Sequence, residues 1–140
     1  MLVVFDTNVI ISALRSSTGA SFRLIGFVQA GILQPVVTAP LVFEYDDVAG
    51  RPGFLPHLTP SEITLFLDWF VSVSSLHKVH FLWRPLLRDP KDDMVLEAAV
   101  AASAEYLVTF NTSDFAGASS LGVRVVTPPQ LFELIQSARP

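Results

Sequence analysis

A short apolar run at the start of the chain ends directly in an acid, and this feature constrains the fold most. Residues 2–5 have the composition of a strand buried on both faces. An apolar helical segment follows immediately after Asp6, Thr7 and Asn8. Because such a strand lies inside its sheet, Asp6 is expected at the carboxyl edge, where open α/β folds place their sites. Asp6 is equally suited to cap the following helix, and this stretch alone leaves both roles open.

Strand-like and helix-like segments alternate along the rest of the sequence. Further strands are predicted at residues 33–38, 76–82, 106–109 and 123–126. Helices are predicted at residues 9–14, 21–30, 40–49, 60–71, 92–102 and 130–136. This alternation predicts an α/β fold, a three-layer α/β/α sandwich with a central parallel sheet. A chain of 140 residues is expected to form a single domain, residues 1–140.

Composition limits the classes of function that are compatible with this chain. Thirteen acids against nine Lys and Arg give a net charge of −4, which argues against electrostatically steered DNA binding. A nuclease whose acids are neutralised by metal ions is compatible with that charge. The absence of cysteine excludes disulfides and thiolate metal sites, and we expect a cytoplasmic protein. The apolar runs are too short to span a bilayer, so no membrane partner is expected.

Hydrophobic residues make up 51% of the sequence, which is high for a monomer of this size. Part of this surplus is expected at an interface, and we predict a homodimer or a complex with a partner protein. The helix predicted at residues 60–71 carries Phe66, Trp69 and Phe70 on several sides. Core packing and an interface both explain these rings, and the pattern does not choose between them.

Glu44 interrupts an apolar stripe on the helix predicted at residues 40–49. Leu41, Glu44, Tyr45 and Val48 fall at positions i, i+3, i+4 and i+7, so they share one face. A carboxylate on an apolar face is costly unless its charge is compensated. Glu44 is therefore expected either to pair with an arginine such as Arg51 or to hold a cation.

The helix predicted from Asp92 offers two adjacent acids. Asp92 shares its face with Val95 and Ala99, so we expect its carboxylate to lean over the strand ends. Asp93 shares a more polar row with Glu97 and is expected to be partly solvated, acting at most as a supporting residue. Both acids also complement the helix dipole, which is the alternative explanation for each.

Asp114 follows the buried strand predicted at residues 106–109, with Asn111 and Ser113 beside it. An Asx turn explains these residues as well as a site does. Four acids from four segments at one edge of a sheet repel one another unless some protonate or divalent cations bind. Carboxylate oxygens without His or Cys favour Mg²⁺ or Mn²⁺. Such a site can activate water for hydrolysis of a phosphodiester.

Four motifs follow one another in a distinctive order and cover nearly the whole chain. They are Val-Phe-Asp-Thr-Asn-Val at residues 4–9, Glu-Tyr at residues 44–45, Asp-Pro-Lys-Asp-Asp at residues 89–93 before Leu-Glu-Ala-Ala at residues 96–99, and Leu-Val-Thr-Phe-Asn-Thr-Ser-Asp-Phe at residues 107–115. In this order and spacing, they resemble the PIN-domain ribonuclease family, particularly its toxin-like branch in type II toxin–antitoxin systems.

The resemblance implies an endoribonuclease that depends on Mg²⁺ or Mn²⁺ and a cognate antitoxin that blocks its site. It implies that the catalytic acids also bind the metal, with supporting polar residues around them. The doubled Asp92-Asp93 leaves the third acidic position ambiguous. The implied acids are Asp6, Glu44, Asp92 and Asp114, and the supporting residues are Thr7, Asn8, Asp93 and Asn111.

Other classes of function fit the same residues less well or explain them equally. A haloacid-dehalogenase-type phosphatase requires a second acid two residues after Asp6, where this chain has Asn8. A zinc site is a poor fit, because His77 and His80 are three residues apart in a strand-like stretch and point to opposite faces. A catalytically weak PIN-like module that binds RNA or protein has the same sequence features and stays open as the alternative.

Overall fold

The computed structural model describes residues 1–79 and 89–138. Within these residues, five parallel strands form one sheet in the order β3-β2-β1-β4-β5. The central strand β1 is the apolar run at the start of the chain, and Val3, Val4 and Phe5 are fully buried in it. The strands are β1 (Leu2–Phe5), β2 (Gln34–Val37), β3 (Ser75–Leu76), β4 (Tyr106–Val108) and β5 (Arg124–Val126).

Six α-helices in the described residues alternate with these strands and cover the sheet. The predicted α/β class with a central parallel sheet is therefore confirmed. Two 3₁₀ helices, Thr112–Phe115 and Ala118–Leu121, connect β4 to β5. The α-helices are α1 (Thr7–Arg15), α2 (Ala20–Gln29), α3 (Ala39–Ala49), α4 (Pro60–Ser72), α5 (Pro90–Ala101) and α6 (Pro128–Ala138).

Local hydrogen bonds explain why several helices begin where they do. Helix α4 starts with a capping box, in which the side chains of Thr59 and Glu62 each accept a hydrogen bond from the other residue's backbone N–H. Helix α5 begins at Pro90, two residues before the predicted start, because Asp89 accepts a hydrogen bond from the Lys91 N–H at 2.9 Å. Each start is fixed by a polar side chain that satisfies an otherwise unpaired N–H group.

The edge strand β3 differs from its prediction. It comprises Ser75–Leu76, whereas the sequence pattern predicts a strand at residues 76–82. The stretch 77–79 forms no strand, and the rest of that range, with His80, lies outside the described residues. The predicted apolar alternation is weak here, and among the described residues Ser75 and Leu76 pair with β2.

The register of β1 and β4 sets the position of the site. Phe5 is paired with Val108, and the N–H of Asp6 donates to the Val108 carbonyl at 2.9 Å. On the other side of β4, the N–H of Thr109 donates to the Val126 carbonyl at 2.9 Å. Asp6 and Thr109 therefore leave the sheet side by side at its carboxyl edge.

Helix α4 contributes to the core and also leaves apolar surface exposed. Phe70 is fully buried, and its ring lies against those of Phe66 and Trp69 at centroid distances of 6.1 and 6.5 Å. Leu65 on the same helix is 70% exposed, and Phe43 on α3 is 72% exposed. Core packing accounts for Phe70, while exposed Leu65 and Phe43 are available to form an interface. Among the described residues, no helix has the length and apolar character needed to cross a membrane.

Candidate functional site

Asp6 both caps α1 and lies at the edge of the sheet, so the two roles predicted for it coexist. Its Oδ1 accepts a hydrogen bond from the Thr7 N–H at 2.8 Å, and its Oδ2 accepts one from the Thr109 hydroxyl at 2.7 Å. The Thr109 oxygen in turn accepts from the Asn111 N–H at 3.0 Å. Asp6 is 8% exposed and Thr109 is fully buried. This short network holds the Asp6 carboxylate in one orientation.

The surroundings of Asp6 disfavour its negative charge. Burial raises the pKa of its carboxyl group, and the hydrogen bonds from Thr109 and Thr7 oppose that shift. The negative charges of Asp114 and Glu44 raise the pKa further. Because the net shift is upward, the hydrogen bonds do not fully compensate the charge. A cation at this edge would supply the missing compensation.

Glu44 lies on α3 and is brought to the same edge by its neighbour in sequence. The hydroxyl of fully buried Tyr45 donates a hydrogen bond to the Phe5 carbonyl, the last one in β1. Burial, followed by the charge of Asp6, raises the pKa of Tyr45 well above its usual value, so the phenol stays a donor. This bond ties the middle of α3 to the strand that carries Asp6.

The partner of Glu44 is not the arginine that the sequence suggests. Arg51 pairs with Asp47 at 2.9 Å, one helical turn away on the exposed face of α3. Glu44 instead lies 3.6 Å from the Lys91 ammonium, and its side chain is 15% exposed. Of the two alternatives that the sequence leaves open for Glu44, pairing with Arg51 is therefore wrong, because α3 packs against α5 and places Lys91 beside Glu44.

Asp92 lies in the first turn of α5 and lines the same cleft as Asp6. Burial raises the pKa of its carboxyl group to about 6, and the charges of Asp6, Asp89, Asp114 and Asp93 add to the shift. Asp92 therefore senses several negative charges at once. A site with this property binds protons or metal ions more readily than isolated surface acids do.

The prediction that Asp93 is partly solvated is wrong. Asp93 is 1% exposed and Glu97, four residues later, is 8% exposed, whereas Asp92 is only half-buried. The sequence assigns this polar row to solvent, but α5 packs on β1, β2 and β4 and also contacts α3 and the first 3₁₀ helix. Neighbouring elements thus cover the row that amphipathic patterning would leave exposed.

Of the predicted acids, Asp6, Glu44 and Asp92 line a cleft of about 320 Å³ at the carboxyl edge of the sheet, whereas Asp93 and Asp114 do not line it. Asn8 and Asn111 line it beside the acids, and the Asn8 side-chain oxygen accepts from the Phe110 N–H at 3.4 Å. Asp114 is exposed on the adjacent 3₁₀ helix, near enough for its charge to raise the pKa values of two cleft acids. The polar residues lining the cleft are Asp6, Thr7, Asn8, Arg15, Glu44, Asp89, Lys91, Asp92 and Asn111.

The polar atoms that line the cleft are potential ligands for a metal ion. The donors of the cleft are carboxylate, amide and hydroxyl oxygens, without histidine or cysteine, which fits Mg²⁺ or Mn²⁺ rather than zinc. In the part of the chain that the structure describes, no three His, Cys, Asp or Glu side chains are already gathered around a single point. The donor set of the cleft fits a hard cation.

A model of the PIN domain family matches residues 2–113. The chain belongs to the PIN-domain family. Members of this family are generally nucleases, and the resemblance inferred from the four motifs is confirmed. The matched range contains Asp6, Glu44, Asp92 and Asn111, and it ends one residue before Asp114.

A solved structure has a similar fold. The structure of VapBC2 from Rickettsia felis bound to a DNA fragment from their promoter matches with a TM-score of 0.61. The match covers 89% of this chain and 98% of that chain at 16% sequence identity, so it supports the fold. No curated protein matches the sequence.

The sequence-based site lacks buried Thr109, which contacts Asp6, and three polar residues that line the cleft, namely Arg15, Asp89 and Lys91. Thr109 could have been found from register, because it follows β4 as Asp6 follows β1. Lys91 and Arg15 are the basic residues that line the cleft, and neither belongs to an acidic motif position. For Lys91, its position between Asp89 and Asp92 is the one feature of the sequence that could have indicated a place in the cleft. Arg15 has no such feature, because its place depends on how the end of α1 meets the Phe54 loop.

The raised pKa values predict how stability depends on pH when no metal is bound. A carboxyl group whose pKa is higher in the folded than in the unfolded state stabilises the fold below the unfolded value, near 3.8 for Asp92. That contribution is lost as pH rises through about 6. In EDTA, the melting temperature of the wild type should fall relative to that of Asp92→Asn as the pH rises from 4 to 7. Exposed Asp68→Asn is the control, and a constant difference between wild type and Asp92→Asn would contradict the shift.

Thr109→Val tests the network that orients Asp6. The change keeps the side-chain shape but removes the donor to Asp6 and the acceptor for the Asn111 N–H. We expect the free energy of unfolding to fall by about 1–3 kcal/mol, the usual cost of leaving buried polar groups unpaired. Urea unfolding in EDTA at pH 7 measures the change. Thr109→Ser, which keeps the hydroxyl, should lose less, and a valine variant as stable as the serine variant would argue against the network.

Proposed function

We propose that this PIN-domain protein is an endoribonuclease that depends on Mg²⁺ or Mn²⁺. One observation carries the proposal: acids from separate segments of the chain lie at one sheet edge, where burial and the charges of neighbouring acids raise the pKa values of Asp6 and Asp92. Structural ion pairs would lower these values instead. The net charge of −4 fits this function if the acids that face RNA are neutralised by metal.

Asp6, Glu44, Asp92 and Asp114 are the residues proposed to hold the metal. When bound, the ion would activate water and neutralise charge that develops at the phosphodiester. The protein's own contribution is orientation, since Thr7 and Thr109 fix Asp6 and Tyr45 anchors the helix that carries Glu44. Asn8 and Asn111 line the cleft as neutral polar groups beside the acids. Asp93 is proposed to support the start of α5 from its buried position.

The experiment is cleavage of mixed RNA by the purified protein with Mn²⁺, with Mg²⁺ and with EDTA. We expect cleavage with either metal and none in EDTA. Asp47→Asn serves as the matched control, because Asp47 is an exposed acid paired with Arg51 outside the cleft. Metal-independent binding of RNA without cleavage would favour the alternative, a catalytically weak binding module.

We also propose that the protein assembles with a cognate antitoxin and forms a homodimer. The fold neighbour was solved as a VapBC2 assembly, and Phe43 and Leu65 leave large apolar side chains exposed on α3 and α4. Light scattering of the purified chain should give twice the monomer mass at micromolar concentration. A clean monomer would contradict the dimer but not the antitoxin.

A further inference from the structure

One basic side chain lies among the cleft acids and pairs with one of them. The Lys91 ammonium is 3.6 Å from Glu44 Oε1, and the two side chains are 54% and 15% exposed. Lys91 belongs to the first turn of α5, directly before Asp92, and its N–H is held by Asp89. In the protein without metal, Lys91 therefore serves as the counter-ion of a proposed metal ligand.

Lys91 differs from the other basic groups near the site. Arg15 also lines the cleft, but its Nη2 donates to the Phe54 carbonyl at 3.1 Å, which anchors it at the rim. Arg51 is engaged by Asp47 outside the cleft. Within the described residues, Lys91 is thus the basic side chain that forms an ion pair with one of the four proposed metal ligands.

The physical properties of this pair allow it to exchange partners. An ammonium is a point charge on a flexible four-carbon stem, and a half-exposed pair at this distance is weak. A divalent cation offers Glu44 a stronger partner and repels the ammonium. A phosphate oxygen is the natural new partner for Lys91, because charge-assisted bonds from lysine to phosphate are strong.

We propose that Lys91 is a positioning residue that couples metal binding to RNA binding. Its ammonium neutralises Glu44 when no metal is present, and it contacts an RNA phosphate once a divalent cation takes Glu44. Because coupling is reciprocal, RNA raises the affinity for metal by the same factor as metal raises the affinity for RNA. The inference rests on the proposed function and adds a regulatory link between its two ligands.

The first measurement is Mn²⁺ affinity without RNA, from the free-ion signal in electron paramagnetic resonance. Lys91→Gln removes the competing charge, so we expect Mn²⁺ to bind roughly two- to fivefold more tightly, the range set by exposed ion pairs. Lys91→Arg keeps the charge and should remain close to wild type. Lys78→Gln removes an exposed lysine that does not line the cleft and should also leave the affinity unchanged.

The second measurement is the salt dependence of binding to a fluorescein-labelled, unstructured oligoribonucleotide. Gels after each titration verify that the RNA is intact, and Ca²⁺ replaces Mn²⁺ if it is not. With metal, Lys91→Gln should reduce the slope of log affinity against log salt by about 0.7, the loss of one phosphate contact on a single strand. Without metal, the salt slope of Lys91→Gln should match that of wild type, because the wild-type Lys91 ammonium is then paired with Glu44 and does not contact RNA.

The outcomes separate this inference from the proposed function. Equal Mn²⁺ affinity in wild type and Lys91→Gln would overturn the coupling, as would an equal slope change with and without metal. Either result leaves the nuclease proposal intact if wild type binds Mn²⁺ and cleaves RNA. A wild type that does neither overturns both. The predicted slope change in Lys78→Gln would show a general charge effect and would also overturn the coupling.

Discussion

Asp6→Asn is expected to reduce metal-dependent RNA cleavage by more than about 100-fold while the protein stays folded. Loss of an outer partner of a metal ligand already costs about 10–100-fold, and Asp6 is proposed as a ligand itself. Asparagine keeps an oxygen that can accept from the Thr7 N–H, so the cap of α1 survives. Cleavage rates at saturating Mn²⁺ measure the loss, with Asp47→Asn as the control. Retention of activity in Asp6→Asn would end the proposed site.

The same substitution has an opposite effect on stability. The raised pKa of Asp6 shows that its surroundings favour the neutral form despite two hydrogen bonds. The neutral asparagine should therefore raise the melting temperature in EDTA at pH 7. Added Mn²⁺ should stabilise wild type by mass action and the variant less. If Asp6→Asn melts below wild type in EDTA, the hydrogen bonds to the Asp6 carboxylate stabilise the fold by more than its burial and its repulsion by Asp114 and Glu44 destabilise it.

Asp92→Asn is expected to reduce RNA cleavage, whereas Asp93→Asn is expected mainly to reduce the stability of the fold. Asp92 lines the cleft and shares its charge environment with Asp6, so its replacement should also cost more than about 100-fold in cleavage. Asp93 is buried at 1% exposure, so its replacement should lower the free energy of unfolding by about 1–3 kcal/mol. Cleavage by folded Asp93→Asn should stay within about tenfold of wild type.

Single-turnover cleavage and urea unfolding on both variants separate these effects. Glu97→Gln is the matched control for stability, since Glu97 lies one turn after Asp93 in the same buried row. The reverse order, with cleavage lost in Asp93→Asn and kept in Asp92→Asn, would assign the third ligand position to Asp93. Such a result would also require the first turn of α5 to rotate when metal binds.

The sequence predicts the parts of the site that depend on local pattern. The apolar run before Asp6 indicates a central strand, and the structure has β1 in the middle of the sheet. The spacing of Leu41, Tyr45 and Val48 indicates the buried face of α3, and all three are buried. Both features follow from periodicity along a single element, which a sequence displays directly.

Features that depend on contacts between elements are not visible in the sequence. The Asp6–Thr109 bond requires the register between β1 and β4, which joins residues far apart in the chain. The partner of Glu44 depends on the contact between α3 and α5, and the sequence alone leaves open both pairing with an arginine such as Arg51 and binding of a cation. The burial of Asp93 likewise depends on what covers α5. Tertiary neighbours decide each of these cases.

The backbone bonds at the carboxyl edge have a consequence for how the molecule opens. The amides of Asp6 and Thr109 donate into the central sheet, to the carbonyls of Val108 and Val126. Such amides exchange with solvent only in openings that disrupt the sheet itself, whereas frayed ends and outer helices open at lower cost. Partial unfolding that begins at α6 would therefore spare the scaffold of the acids. A protease that cuts within an opened α6 would therefore act on molecules whose acidic edge is still assembled.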